Sequence, residues 1–288
     1  MTDSTDTPDL SMLRSFVGAS MQSTDTIDPF PARALAAALG CDALPADGDA
    51  LGPTGHWLYF HDTPTRAATG VDGHPLRGGF LPPVPLQRRM WAAGRIAYDR
   101  PIRIGLLATR RSTIASVELK QGRGGPLVFV AVDHVVEQEG QRCLSERQDI
   151  VYLDRPDPSS PPRAEAGPAL PESELLLSLR PDPVLLFRYS ALSYNSHRIH
   201  YDQAYATQQE GYPGLVVHGP LLATLLADAG ARRMGARPIA SFGFRALRPS
   251  FVDAMIELRG RPSDDAMALW STDGAGNIAM SAELRVRA

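Results

Sequence analysis

Phe187 to Leu222, FRYSALSYNSHRIHYDQAYATQQEGYPGLVVHGPLL, sets two histidine-bearing segments on either side of one short helix. Phe187 to Leu192 is an apolar, aromatic run suited to a strand, and Ser193 to Arg198 follows with side chains that favour turns, so a strand is expected to deliver a polar loop. Asp202 precedes QAYATQQE and reads as an N-cap whose carboxylate accepts helix N–H bonds, with Gly211 closing that helix. The cap reading weighs against Asp202 as a catalyst. GLVVHG, at 214 to 219, is an extended apolar piece entering PLLATLLADAG, where Pro220 suits a first helical turn and the apolar run behind it suits burial on most sides. A buried helix that starts on a glycine presents free N–H groups and a positive dipole end to whatever lies in front. Those are the requirements of an oxyanion hole.

LSYNSHRIHYD, at 192 to 202, resembles the motif of MaoC-like (R)-specific enoyl-CoA hydratases, in which a catalytic Asp is followed five residues later by a catalytic His. By position, Asn195 stands in the place of the Asp, His197 in that of an Asn, Arg198 in that of a Pro, and His200 in that of the catalytic His. VVHG, at 216 to 219, is similar to the family's entry into its central helix, which implies that the oxyanion-hole N–H belongs to Gly219. The chain departs from the family at Asn195, because an amide cannot exchange a proton. That departure resembles the branch of mesaconyl-CoA and itaconyl-CoA hydratases, as do GHWLYF (55 to 60), DGHPLRGGFLPPVPLQRRMWAAGR (72 to 95) and KQGRGGPLVFV (120 to 130). The likeness covers most of the chain. It implies an α+β double hot-dog fold, two antiparallel sheets each wrapped around a central helix and pairing within one chain. It also implies a hydro-lyase that adds water reversibly to a short branched 2-enoyl-CoA thioester, mesaconyl-CoA or itaconyl-CoA giving citramalyl-CoA.

The rest of the chain is consistent with that reading. A length of 288 residues is long for one hot-dog unit and about right for two, and 43% hydrophobic residues can build a sizeable core. A net charge of −3 and a pI near 6.2 give no reason to expect nucleic acid or a membrane surface as partner. Residues 1 to 9 are polar and acidic and no long apolar run follows, so neither a targeting peptide nor a membrane span is expected. Cys41 and Cys143 are far apart with no CxxC, which suits reduced, buried thiols in a cytoplasmic protein.

Leu10 to Ala19 and Pro31 to Leu39 have helical character, and the second runs from a proline to Gly40 as the central helix of a first unit or as a peripheral one. Residues 72 to 95 are too rich in Gly and Pro for long elements yet carry His74, Arg77, Arg88, Arg89 and Trp91. They form either a Pro-fixed crossover or a substrate-binding loop. Strand-like runs follow at 110 to 120, 127 to 138 and 142 to 153, with a hairpin turn at GRGG, 122 to 125. Six prolines between Asp154 and Pro171 read as a linker. The expected division is a hot-dog unit at 1 to 154 for substrate and coenzyme A binding, a linker at 155 to 174, and a catalytic MaoC-like unit at 175 to 288. Within the last, the element order is a strand at 184 to 192, the polar loop, a short helix, a helix at 219 to 234, and strands at 239 to 247, 252 to 261, 265 to 272 and 277 to 287. One active site per chain follows, since only this half carries the Asn195–His200 spacing.

Hydration of an enoyl thioester requires a base for water, a proton for the α carbon, and a donor for the enolate oxygen. His200 is the expected base and acid, with a pKa near working pH. Asn195 can orient or polarise the water but not carry a proton. The second carrier is then absent, replaced by a water relay, or His197, which otherwise makes a structural hydrogen bond. His218, also placed at the substrate site, buttresses the helix entry. A dicarboxylic acyl group needs a cation, and Arg198, Arg245 and Arg248 are the candidates, with coenzyme A phosphates or surface ion pairs as their other uses. His197 and His200 lack further metal ligands nearby, and no phosphate loop or dinucleotide fingerprint is present, so no metal and no cofactor are expected. The expected partner is the coenzyme A thioester itself, with a homodimer formed through sheet edges. A hot-dog thioesterase and a non-catalytic acyl-CoA-binding subunit, the latter prompted by Asn195, are the alternatives.

Overall fold

The computed structural model describes residues 8–122, 125–154, 168–235 and 237–287. In chain order, α1 (Leu10–Arg14), β1 (Ser20–Thr26) and α2 (Pro29–Ala38) lead through 3-10 turns at Gly55–Leu58 and Arg66–Ala68 into β2 (Arg88–Tyr98), β3 (Leu107–Gly122), β4 (Gly125–Gln138) and β5 (Gln141–Leu153). Then come β6 (Glu174–Leu179), α3 (Pro183–Leu192), a 3-10 turn at Arg198–His200, a π-helical turn at Tyr205–Gln209, α4 (Gly219–Met234), β7 (Ile239–Ala246), β8 (Ile256–Pro262), β9 (Ala266–Thr272) and β10 (Ile278–Val286).

The described strands form one ten-stranded antiparallel sheet in the order β1-β3-β4-β5-β2-β7-β10-β9-β8-β6. The first five precede residue 154 and the last five follow residue 173, so two five-stranded meanders join edge to edge at β2 and β7, from Ala93↔Arg245 to Ala97↔Ser241. This is the double hot-dog architecture expected of the chain. Pairing both inner edges satisfies backbone groups that two separate units would leave exposed. In the second half α4 lies across β8, β9 and β10, packing Leu221, Leu222, Leu225 and Leu226 onto Leu258, Leu269 and Leu284. Burying each such leucine stabilises the fold by about 1.5–3 kcal/mol.

The first half has no counterpart to α4 among the described residues. Helix α2 packs against α3 and buries only Ala32 and Leu35, so it is peripheral. Its sheet is covered instead by Leu13 of α1 and by Val84 and Leu86, packed on Ile114, Val128, Val130 and Tyr152. Residues 80–86 of the Pro-rich stretch therefore are a crossover, whereas residues 70–77 reach the functional site. A buried polar group ties this half together. Glu146 accepts from Trp57 Nε1 (2.9 Å) and pairs with His56 Nε2 (3.0 Å). Burial alone would raise its pKa, but His56 and the hydrogen bonds outweigh that and hold it at about 2.

Several expectations need correction. The segment 184–192 is not a strand but α3, because Asp182 caps it by accepting the Leu185 N–H (2.7 Å) and Pro183 occupies its first turn. The helix expected over 10–19 stops at Arg14, and β1 has begun by Ser20. Strand β2 starts at Arg88, within a stretch that looked too irregular for a long element. Strands β1 and β6 were not anticipated; both are sheet edges whose compositions, SMQSTDT and ELLLSL, carry no full apolar alternation. The helix expected after Asp202 is one π-helical turn. Most of the expected linker lies outside the described residues, as do Arg123 and Gly124 of the hairpin turn, although Gly122↔Gly125 closes that hairpin. Cys143 is buried and Cys41 half-buried. Among the described residues, no helix is long and apolar enough to cross a membrane.

Candidate active site

Helix α3 ends at Ser193, and Tyr194 in the left-handed region (φ 48°) turns the chain sharply into Asn195. Asn195 Oδ1 accepts the His197 N–H (3.0 Å), and its own N–H bonds Ser190 O (2.9 Å), so this amide shapes the loop as an Asx turn. The 3-10 turn then carries His200 into the interior at 7% exposure. Its Nδ1 lies 2.7 Å from the Val216 carbonyl. A carbonyl only accepts, so Nδ1 bears the proton and Nε2 keeps a free lone pair. Burial, opposed by that hydrogen bond, lowers the His200 pKa to about 4, which keeps the ring neutral and able to act as a base near pH 7.

His218 is fully buried behind His200, the rings stacked at 3.7 Å and 19°. It pairs through Nε2 with Ser190 Oγ (2.8 Å), so it braces the His200 ring and does not line the cavity. Gly219 opens α4 and lines the cavity, with its N–H among those that a helix start leaves without intrahelical partners.

The cavity in front of these groups measures about 1180 Å³ and is bounded by both halves of the chain: Asn195, His197, His200 and Gly219 from the second, and Asp72, His74 and Arg89 from the first. The two contributions are locked together. The Arg198 N–H donates to Asp72 O (2.9 Å), Arg198 Nη1 to Val71 O (3.0 Å), and Ser196 Oγ to Gly73 O. Gly73 has φ +89°, and a Cβ there would fall 1.8 Å from Ser196 O. Only glycine allows this approach.

Beside it, His74 Nδ1 sits 3.1 Å from Asp72 Oδ2, its N–H donates to Asp72 Oδ1 (3.0 Å), and its ring lies 4.1 Å from that of His197. The His197 ring is in turn 5.5 Å from His200, edge to face. Burial, aided by the charges of its neighbours, pushes His197 down to about 2 and also lowers His74. Asp72 moves the other way from what burial dictates, because its hydrogen bond to His74 and the histidine charges hold it well below the usual carboxylate range.

Ligand atoms of Asp72, His74 and His197 come within 4.8 Å of one another. The close pair in that group is already a carboxylate–imidazole hydrogen bond, with the His197 ring tilted at 39° beside it, so the arrangement fits a proton-handling pair better than a metal site.

The cations sort differently from the sequence expectation. Arg198 is drawn away from the cavity to Asp202 (2.7 Å) and over the Tyr205 ring. Arg245 is exposed on the opposite face of β7 from Phe242 and Phe244. Arg248 does line the cavity. Of the others that line it, Arg88 is tied to Glu210 (2.8 Å) and Arg77 to the carbonyls of Val84, Leu86 and Gln87. Arg89 has no ion pair among the described residues and lies close enough for its charge to depress both His74 and His197. His74 and Arg89 were named in the sequence only as residues of a Gly- and Pro-rich stretch that was either a crossover or a substrate-binding loop, and the pairing of His74 with Asp72 had no signal there.

These features set a neutral imidazole and a helix N-terminus on the wall of one cavity. The fold is shared with HtdX from Mycobacterium tuberculosis (TM-score 0.65, 19% identity, covering 93% of this chain and 99% of that one). It is shared also with a second protein from the same organism described as a double hot-dog (TM-score 0.59, 10% identity, covering 94% and 96%). Residues 53–252 match the family of hydroxyacyl-thioester dehydratase type 2, and the chain belongs to that family. It is 42% identical over 274 residues to the mesaconyl-C(4)-CoA hydratase of Chloroflexus aurantiacus, spanning 94% of this chain and 96% of that protein. It is 24% identical over 249 residues to the mitochondrial hydroxyacyl-thioester dehydratase type 2 of Schizosaccharomyces pombe, spanning 76% and 81%. The chain is therefore a hydro-lyase of the hydratase/dehydratase kind.

Proposed function

We propose that this hydro-lyase hydrates a short branched enoyl-CoA bearing a free carboxylate, mesaconyl-CoA thioesterified at C4 foremost and itaconyl-CoA second, to give a citramalyl-CoA. The observation that carries the reading is His200, whose Nε2 is left free by the Val216 carbonyl on a wall shared with Gly219. His200 Nε2 takes a proton from water as its oxygen adds to the β carbon. The Gly219 N–H, at the positive end of α4, stabilises the thioester oxygen as enolate charge develops. Asn195, whose Oδ1 is occupied by the His197 N–H, has its amide N–H groups left to orient the attacking water.

Arg89, which lines the cavity without an ion pair among the described residues, is the guanidinium assigned to the acyl carboxylate. The first half, residues 1–154, supplies this binding surface, and residues 175–288 supply the base and oxyanion donor. The same proposal includes a cytoplasmic setting, for which the two free thiols are the motive. It also includes pairing of two chains, suggested by Leu175 and Leu177 exposed on the edge strand β6. A solution mass matching one 31.1 kDa chain would remove the dimer.

The test is loss of enoyl-thioester absorbance with mesaconyl-C4-CoA, itaconyl-CoA and crotonyl-CoA in separate cuvettes, with a thiol reagent in parallel. Hydration of a dicarboxylic substrate without thiol release is expected. Thiol release in its place would make the protein a thioesterase, and preference for crotonyl-CoA would end the carboxylate assignment.

A further inference from the structure

The active site has one base with a defined tautomer and, at position 195, an amide where acid–base chemistry needs a second exchangeable proton. From the first half of the chain, a carboxylate–imidazole pair reaches the same cavity. His74 is fixed twice by Asp72, through its ring (3.1 Å) and its own N–H (3.0 Å). The turn that carries both is bolted to the catalytic loop by three hydrogen bonds and a glycine that no larger residue can replace without displacing Ser196. Such precision is unnecessary for a covering loop.

The His74 Nδ1–H pointing at a carboxylate leaves Nε2 as the exchanging atom, and among the described residues that nitrogen has no hydrogen-bond partner. His74 lines the cavity together with His200 and is close enough that its charge bears on the His200 pKa. His197 stands between the two rings and, kept neutral by burial, separates them.

We infer that His74, oriented by Asp72, is the second proton carrier, supplying the α-carbon proton while His200 handles water. The inference rests on the proposed hydratase reaction. In the forward direction the water O–H bond breaks toward His200 Nε2, the oxygen bonds to the β carbon, and the π pair moves onto the thioester oxygen as an enolate. The enolate α carbon then takes the proton of an imidazolium His74, whose positive charge Asp72 balances. The enzyme is left with His200 protonated and His74 neutral, and proton exchange with solvent restores the starting state. In dehydration each step reverses, with neutral His74 removing the α proton. Burial has the largest effect on His74 and opposes the imidazolium, as do the charges of Arg89, Arg77 and His197, whereas Asp72 favours it through its hydrogen bond and its charge.

Two measurements on the full-length protein decide the matter. For His74→Gln, kcat for hydration of mesaconyl-C4-CoA is expected to fall 100-fold or more, with KM within about threefold. Asp72→Asn is expected to lose about 10-fold to 100-fold, as for other partners that orient a functional imidazole. In D2O, deuterium uptake at the α carbon of a saturated methylsuccinyl thioester, which cannot lose water, reads the α-carbon base alone. Uptake should survive in His200→Gln and vanish in a His74→Gln protein that melts within about 3 °C of wild type. Equal uptake by wild type and His74→Gln, or none by wild type, overturns the role. Failure of wild type to hydrate any of the three enoyl thioesters would instead sink the proposed substrate class, and hydration retained in His74→Gln would sink only the inference about His74.

Discussion

Replacing Gly73 by alanine tests whether the two loops are joined as tightly as the geometry requires. The added Cβ would stand 1.8 Å from Ser196 O and 2.7 Å from its carbonyl carbon, both backbone atoms that cannot rotate aside. Restoring even a 3.0 Å contact moves the loops apart by roughly 1.2 Å, in an interior too well packed to absorb it locally. The positive φ adds about 1–3 kcal/mol of backbone strain for a residue with a Cβ. Displacing a positioned group by about 1 Å costs on the order of 100-fold in rate, so kcat/KM for the enoyl thioester should fall about 100-fold. The melting temperature should fall by several degrees, at about 2–4 °C per kcal/mol for a chain of this size. Turnover is followed by loss of enoyl absorbance and stability by calorimetry. Wild-type turnover with an unshifted melt would refute the docking of Gly73 on Ser196 and, with it, the delivery of His74 to the site.

Other outcomes follow from the same geometry. Because burial lowers His200 to about 4, the acid limb of kcat/KM should fall as pH passes through about 4, where the base becomes protonated. An acid limb near 6.5 assigned to His200 would show that its ring is solvated. Glu146→Ala leaves His56 and Trp57 Nε1 without their buried acceptor and should destabilise the fold by about 3–5 kcal/mol, read by denaturant titration. In wild type the depressed Glu146 pKa gives stability that is complete above about pH 4.5 and lost as pH falls toward about 2; a stability curve flat across that window contradicts the ion pair. Arg89→Met should raise KM for a dicarboxylic enoyl thioester by about 10-fold to 100-fold and leave crotonyl-CoA unchanged, while Arg245→Ala, on the outer face, changes neither; an equal loss for both substrates in Arg89→Met would deny the carboxylate contact.

Local chemistry was legible in the sequence wherever neighbours along the chain do the positioning. His218, Gly219 and Pro220 announce the start of α4, and Asp202 does cap the turn that follows it, bonding the Tyr205 N–H (3.0 Å). Strand-like runs marked β3 to β5 and β7 to β10, most of the sheet, with two-residue alternation in β3. The apolar run of α3 misled, because a short hydrophobic stretch fits either a buried strand or a helix. The deciding Asp182–Pro183 pair lies just upstream of it.

Tertiary structure alone decided which polar groups share the cavity. Asp72, His74 and Arg89 are more than a hundred residues from His200, and no local spacing encodes their meeting. It results from the β2–β7 seam and from Gly73 lying against Ser196. For the same reason Arg198, which opens the turn that carries His200, was a poor guide: an opposite charge one helical turn on, at Asp202, pulls it away from the cavity. Sequence determines what each residue can do and how its immediate turn is built, whereas the pairing of the two sheets determines which of those capacities face the same water molecule.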